Sequence, residues 1–424
     1  MTRILSAISL SFRVCIAFGT SRTRAVLRSA AETIGGQGMR ITVLGGAMLA
    51  GAALSPLAMA QSAPIEFESD LEAVTVIAAF HDTRAGTDSE DVLYEVTLDN
   101  RFEKVLQNGL QIGGRLTLRG QRDHPARPGF LGRFGGAPGP SGAYSGLSGE
   151  GSTRDTGARG QLEAAYLEFD GGYGELRIGR DRGAAARFCE GAPSALTHAS
   201  ISNAYLDPDG IKIIRTNHDL TGPSAKISYA TPRILGLRAG ASFTPDAEAA
   251  GLDRNVRDMS ADLSDAVELA LNLSRRLRDS GVRIDAGLAW SRAEIDFAGS
   301  SARDRVGTWS AGANLEFDSF EVGGSWIKSD NGFAGADYTA WEIGVATELA
   351  DTEISLNYGE AEDDLAGLVG DGISLAARRD IANGLELAVA YQDEVLSSAG
   401  RDFGGRGVVV EITLKGDFLR INSN

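Results

Sequence analysis

From residue 71 onward, apolar and polar side chains alternate along this chain. In 110–119 (LQIGGRLTLR), Ile112, Gly114, Leu116 and Leu118 share one face, and Gln111, Gly113, Arg115, Thr117 and Arg119 share the other. Successive side chains of an extended chain point to opposite faces, so period two predicts a strand with one apolar and one polar surface. The same reading holds in DVLYEVTLD, where Val92, Tyr94, Val96 and Leu98 oppose Glu95, Thr97 and Asp99. It holds in AVELALNLS, VRIDAGLAW, AWEIGVATEL and GLELAVAYQ. It is cleanest in GVVVEITLKGDF, where Val408, Val410, Ile412, Leu414 and Phe418 oppose Glu411, Thr413 and Lys415. About 16 such strands fit, near 71–81, 91–103, 110–122, 161–170, 174–181, 223–231, 235–244, 264–276, 282–296, 305–318, 320–330, 337–350, 352–363, 371–382, 385–396 and 406–418. The extended piece IKIIR at 211–215 is assigned to a loop, because a further strand there would break the pattern of connections.

The connections alternate in length. Short turns fall near Gln107-Asn108-Gly109, Gly171-Gly172-Tyr173, Pro232-Arg233, Asp279-Ser280-Gly281, Asp318-Ser319, Ala350-Asp351 and Asn383-Gly384. The last is an Asn-Gly pair, the strongest short hairpin signal. Longer links occupy 82–90, 123–160, 182–222, 245–263, 297–304, 331–336, 364–370 and 397–405. This alternation predicts an antiparallel meander with two unequal ends, the pattern of an outer-membrane barrel. Trp290, Trp309, Trp326, Trp341, Tyr358, Tyr391 and Phe418 all take the apolar parity of their strands. One sheet of this size needs a cover for its apolar face, and the chain offers no amphipathic helices for it. Lipid supplies that cover, and closure removes the edges that lipid cannot satisfy. The expected fold is all-β: a 16-stranded antiparallel transmembrane β-barrel.

Composition and targeting agree. No apolar run of about 20 residues follows residue 60, as a helical membrane span needs. Met39-Arg40, an apolar stretch from Ile41 to Leu57 and Ala58-Met59-Ala60 form a complete secretory signal, with cleavage before Gln61. Translation is expected to start at Met39, which makes 1–38 a doubtful extension; a long presequence is the other reading. The barrel is assigned to 61–418 and a C-terminal tail to 419–424. The formal charge is −16, and removing residues 1–60 takes it to about −21. That argues against nucleic acid as a partner. It fits either plain solubility or a pore that favours cations. With Cys15 in the removed part, Cys189 is left alone, so no internal disulfide forms.

The link 182–222 is too long for an idle connection. It carries Phe188, Tyr205 and Leu206, which can pack against another surface. AYLEFDGGYGELRIGR (165–180), this long link, and then ISYATPRILGLRAGASFTPD (227–246) together resemble the general porins of alphaproteobacteria, within the Gram-negative porin family. The resemblance covers essentially all of 61–418. It implies a homotrimer in the outer membrane, passing ions and small hydrophilic solutes by passive diffusion. It also implies that the third outer loop folds inward as a constriction, with loop acids facing wall bases. The loop offers Glu190, Asp207 and Asp209; the wall offers Arg115, Arg119 and Arg177, with Lys226 and Arg238 as further candidates. Each of these is also readable as an ordinary solvated charge, with pore lining preferred for Arg115 and Arg119, and Asp207-Pro208-Asp209-Gly210 is also readable as a plain turn. The family commonly finishes on an aromatic residue; here Phe418 has the right parity but LRINSN follows it.

Rival readings are a substrate-specific channel and a non-conducting structural or adhesive barrel. A sugar path calls for a lumenal aromatic stripe, and a phosphate path for basic walls. An enzyme is not expected: His81, His124, His198 and His218 show no ligand spacing, and no nucleophile elbow or P-loop occurs. No cofactor is expected. Acids at Asp207-Pro208-Asp209 and Asp363-Asp364 are oxygen donors of the kind calcium takes.

Overall fold

A computed structural model describes residues 64–80, 92–124, 141–147, 158–247, 251–253, 261–297 and 304–423. The doubtful extension at 1–38 and the export signal at 39–60 lie outside these residues, as do parts of several long links. In the first half, the strands are β1 (Ile65–Phe80), β2 (Val92–Val105), β3 (Gln111–Arg122), β4 (Ala158–Gly171), β5 (Gly174–Asp181), β6 (Ser224–Ala230), β7 (Leu237–Asp246) and β8 (Ala261–Arg276). They continue as β9 (Arg283–Phe297), β10 (Arg305–Glu316), β11 (Glu321–Ser329), β12 (Tyr338–Leu349), β13 (Thr352–Asp363), β14 (Leu368–Ala382), β15 (Leu385–Ser398) and β16 (Arg401–Ser423). A single helical turn, α1 (Ala184–Arg187), interrupts the β5–β6 link.

Each strand pairs with its neighbour in sequence, and β1 pairs with β16, so the sheet is a closed barrel. Every pairing is antiparallel; Trp309 faces Trp290 across β10 and β9, and Trp326 faces Trp341 across β11 and β12. Closure leaves no strand edge unpaired, which is what a spanning sheet requires. The Asn383-Gly384 turn closes with Gly384 in the left-handed region (φ 73), where a side chain is disfavoured.

Two strand ends and two links differ from the sequence reading. β1 starts at Ile65 rather than 71, and β16 runs through 419–423 rather than stopping at Phe418. The two extensions explain each other, because Ile65 pairs with Ser423 and Phe67 with Ile421. Residues 419–423 of the segment assigned to a tail therefore belong to the last strand. The links expected at 364–370 and 397–405 shrink to 364–367 and 399–400. Ala399 and Gly400 both have positive φ, and Ser398 pairs with Arg401 across a tight hairpin. The length contrast between the two ends of the barrel is thus lost over the last four strands.

The two faces of the sheet are unlike. Side chains of one parity are apolar and exposed, among them Trp309, Trp326, Leu375, Tyr391 and Phe418. Those of the other parity are buried and mainly polar, among them Glu95, Arg119, Gln392, Glu394 and Glu411. An apolar outer band around a polar interior is the pattern of a lipid-facing barrel. Toward the long-link end, however, the buried face turns apolar. Ile295, Val306, Ile327, Tyr338, Leu368 and Leu396 pack there with Ile213, Ile214 and Leu220 of the β5–β6 link.

Candidate functional site

The β5–β6 link, residues 182–223, makes contacts on the buried face of every strand from β7 to β16. Ala184 N–H donates to Ser242 Oγ on β7 (3.0 Å), and Ala185 N–H to Glu268 Oε2 on β8 (3.1 Å). Asn272 on β8 donates to Glu190 (2.8 Å). Asn357 on β13 donates to the Pro193 carbonyl (2.7 Å), and Ala195 N–H to Ser355 Oγ (2.9 Å). Ala199 accepts from Gln392 on β15 (2.7 Å), and Leu196 packs on Ala376, Ala388 and Ala390 of β14 and β15. The returning half bonds Thr216 to Ser325 on β11 (2.7 Å), and His218 to Ser310 on β10 (2.8 Å) and Ser291 on β9 (2.7 Å).

An irregular segment carries backbone donors that no sheet satisfies, and buried ones need partners. Three wall carboxylates supply them. Glu411 accepts the N–H groups of Thr197 (3.3 Å), His198 (2.9 Å) and Ala199 (3.1 Å), together with the Thr197 hydroxyl. Glu342 accepts from Ala192 N–H (3.3 Å), Asn203 (3.2 Å), Thr216 (2.8 Å) and the Ser202 hydroxyl. Glu268 accepts from Ala185, Ser242 (3.0 Å) and Thr221 (2.8 Å). Ionised acceptors make hydrogen bonds about twice as strong as neutral ones, so each carboxylate is an anchor.

The residues singled out in the sequence do not form one ladder. Arg115 bonds Asp99 (2.7 Å), with its side chain 37% exposed. Arg119, four residues on, is 6% exposed, bonds Glu95 (2.6 Å), lies near Glu163 and Asp253, and is capped by the Tyr205 ring at 4.3 Å. Arg177 is held by Glu168 (2.6 Å), Glu175 (2.7 Å) and Asp181 (3.1 Å). Glu190 is half-buried on Asn272. Asp207 is fully buried and turns back on its own segment, accepting from Gly210 N–H (2.9 Å) and Lys212 N–H (2.9 Å). Asp209 is buried beside Asp207, Lys212 and Glu394. Lys226 is buried and donates to Thr221 (2.8 Å), while Arg238 reaches Glu175 (2.7 Å). Arg115, Arg177 and Arg238 thus stay together on one arc. Arg119, Asp207 and Asp209 are sealed into other packing. Among the described residues no group of three or more His, Cys, Asp or Glu is arranged to hold a metal ion.

Electrostatics within the link follow from burial against partners. Burial alone lowers the His198 pKa, but hydrogen bonds to Glu411 and Glu95 override it and push it up to about 9. Burial raises Asp253, yet Arg215, Arg119 and Arg182 hold it well below the usual carboxylate range. Burial, then the Glu394 and Asp207 carboxylates, push Asp209 well up. Glu190 is raised by burial against the help of Asn272. Burial pushes the Cys189 thiol up to about 11.

Sequence reading passed over Glu268, Glu342, Glu394 and Glu411 as receivers for the link. Their only signal is a carboxylate at polar parity in mid-strand, which looks the same whether it faces water or a folded segment.

A closed 16-stranded barrel with an apolar outer face and a polar buried face defines a class: outer-membrane channels. The model of the Gram-negative porin family matches residues 46–397. The chain belongs to that family, and it forms an outer-membrane channel for passive diffusion. No curated protein matches its sequence. Among solved structures it is similar to Salmonella typhi OmpF in complex with daunomycin, at TM-score 0.56 and 11% identity over 83% of this chain and 97% of that one. It is similar to Pseudomonas putida OprB at high pH, at TM-score 0.53 and 11% identity over 84% and 94%. It is similar to the anion-selective porin of Comamonas acidovorans, at TM-score 0.51 and 15% identity over 84% and 100%.

Proposed function

We propose that this chain is a general diffusion porin in which the β5–β6 link lies across the barrel interior as the constriction, and that passage favours cations. One observation carries the reading: the link contacts the buried face of ten consecutive strands, β7 to β16, which supports a path through the space those strands enclose. Free passage is then left to the arc that keeps half-exposed charge. On β2 to β7 that arc holds Arg101, Arg115, Arg177 and Arg238, each met by a carboxylate. Across the barrel, toward the short-turn end, stand Asp285, Glu316 and Glu353, met in turn by Arg283, Arg276 and Arg378. Bases facing acids across a narrow water path order dipoles and screen solutes by charge. With a charge of about −21 once residues 1–60 are removed, the balance favours cations. This is the opposite sign to the function printed for the Comamonas relative.

The reading includes export by the signal at 39–60, a mature start near Gln61, and assembly as a homotrimer in outer-membrane lipid. Family membership and the motifs at 165–180 and 227–246 support these points. The porin family consists of channels, so no reaction is assigned. The test is single-channel recording in a planar bilayer under a potassium chloride gradient. A non-saturating conductance with a cation-side reversal potential is expected. Absence of conductance would sink the pore. An anion-side reversal would sink the charge preference, and conductance saturating with one sugar would favour a substrate-specific channel.

A further inference from the structure

The wall beneath the first half of the link carries glycine at four places where the link lies against it. At Gly287 on β9 a Cβ would lie 2.2 Å from the Phe188 carbonyl oxygen. At Gly312 on β10 it would lie 2.0 Å from the Glu190 carbonyl oxygen. Flanking strands repeat the arrangement more gently. A Cβ on Gly240 would meet the Phe188 ring at 2.8 Å, and one on Gly344 the Asn357 amide at 2.3 Å and the Pro193 carbonyl at 2.8 Å. None of the four has a positive φ. Backbone conformation therefore does not call for glycine at these places, and glycine weakens a strand interior. What calls for it is the link's own backbone, lying flush on the sheet. A second set of contacts fixes the same stretch: Asn272 on β8 holds the Glu190 carboxylate (2.8 Å), and Asn357 holds the Pro193 carbonyl (2.7 Å).

We propose that Gly287 and Gly312 are positioning residues that set the free cross-section of the pore, by letting residues 188–190 sink into the wall of β9 and β10. Any side chain there pushes the segment off the wall and into the remaining water path, carrying Glu190 with it. The inference rests on the constriction proposed above, and it adds what decides how wide that constriction stands.

The test is single-channel conductance of purified Gly312→Ala, Gly312→Val and Gly240→Ala barrels, with folding checked by the heat-dependent shift in electrophoretic mobility. A close-packed segment has no slack to absorb the added volume, so Gly312→Ala should lower conductance by roughly 1.5-fold and Gly312→Val by more. Gly240→Ala strikes a side chain rather than backbone, so Phe188→Ala in the same barrel should restore conductance. Gly416→Ala, whose Cβ meets nothing within 4 Å, should leave conductance unchanged. Unchanged or increased conductance in folded Gly312 variants overturns the proposal, as does failure of Phe188→Ala to rescue Gly240→Ala. If Gly312→Val does not fold, the Gly240 and Phe188 pair decides alone. A wild-type barrel that conducts nothing defeats the constriction itself, an outcome distinct from both.

Discussion

Arg115 and Arg119 stand on one face of one strand, four residues apart, and read identically in the sequence. In the barrel they live in different media. Arg115, toward the short-turn end, has one acid, Asp99, and the Tyr166 hydroxyl beside it, and stays 37% exposed. Arg119, toward the long links, has Glu95, Glu163 and Asp253 around it and an aromatic ring over it. The segment carrying Asp253 is itself tied to this wall, because the Leu252 carbonyl accepts from Gln121 (2.9 Å) and Arg159 (2.6 Å). A wall charge in such a barrel is a channel group or a structural group according to its height, and the height at which links close over the wall sets the boundary.

This contrast can be broken most forcefully at Arg119. Arg119→Met leaves Glu95 and Asp253 buried with less compensation, and removing one partner of a buried ion pair costs about 3–5 kcal/mol. Urea unfolding in detergent should show a loss of that size; a loss below 1 kcal/mol would mean that the cluster is wet. An intermediate effect is expected from pH at the Glu411 anchor. The His198 pKa is raised on folding, so its contribution is fully present below its unfolded value of about 6.5 and fades as pH rises through about 9. Amide exchange at 197–199, corrected for the intrinsic base catalysis, should therefore quicken between those limits in the wild type. In His198→Gln it should be already fast and flat across the same window. The smallest effect belongs to Arg115→Ala. Asp99 is buried but keeps Arg101 (2.7 Å) and Thr117 (2.5 Å), and the Arg115 side chain is 37% exposed, so the stability loss should stay within about 1 kcal/mol, while the reversal potential shifts further toward cations. A large stability loss there would erase the distinction between the two arginines.

Much of the barrel is legible because period two is a local signal. Val408 to Leu414 announces a strand without any knowledge of β15 or β1. The boundary of β16 is not legible in the same way, because residues 419–423 are strand only by virtue of partners at 65–69, more than 340 positions away. The constriction residues divide along the same line. The parity of Arg115, Arg119 and Arg177 follows from spacing alone. The sealing of Arg119 depends on Tyr205 and Asp253 arriving from two separate links, which no spacing encodes. Asp207 fits a pore acid or a turn by spacing; in the structure its carboxylate accepts from Gly210 N–H and Lys212 N–H, contacts that depend on the local backbone path and not on residue type alone.

The β1–β16 seam has a kinetic consequence. Fifteen of the sixteen pairings join strands adjacent in sequence, so the sheet can grow hairpin by hairpin at small entropic cost. The seam is the single pairing that must bring remote parts of the chain together, and until it forms the sheet has two sticky edges. It is also long, with register running from Ile65↔Ser423 to Phe80↔Gly407. Closure is therefore a zippering event that separates a half-built, aggregation-prone ribbon from a finished cylinder. Shortening the last strand would act on the yield of assembled barrel before it altered anything that passes through one.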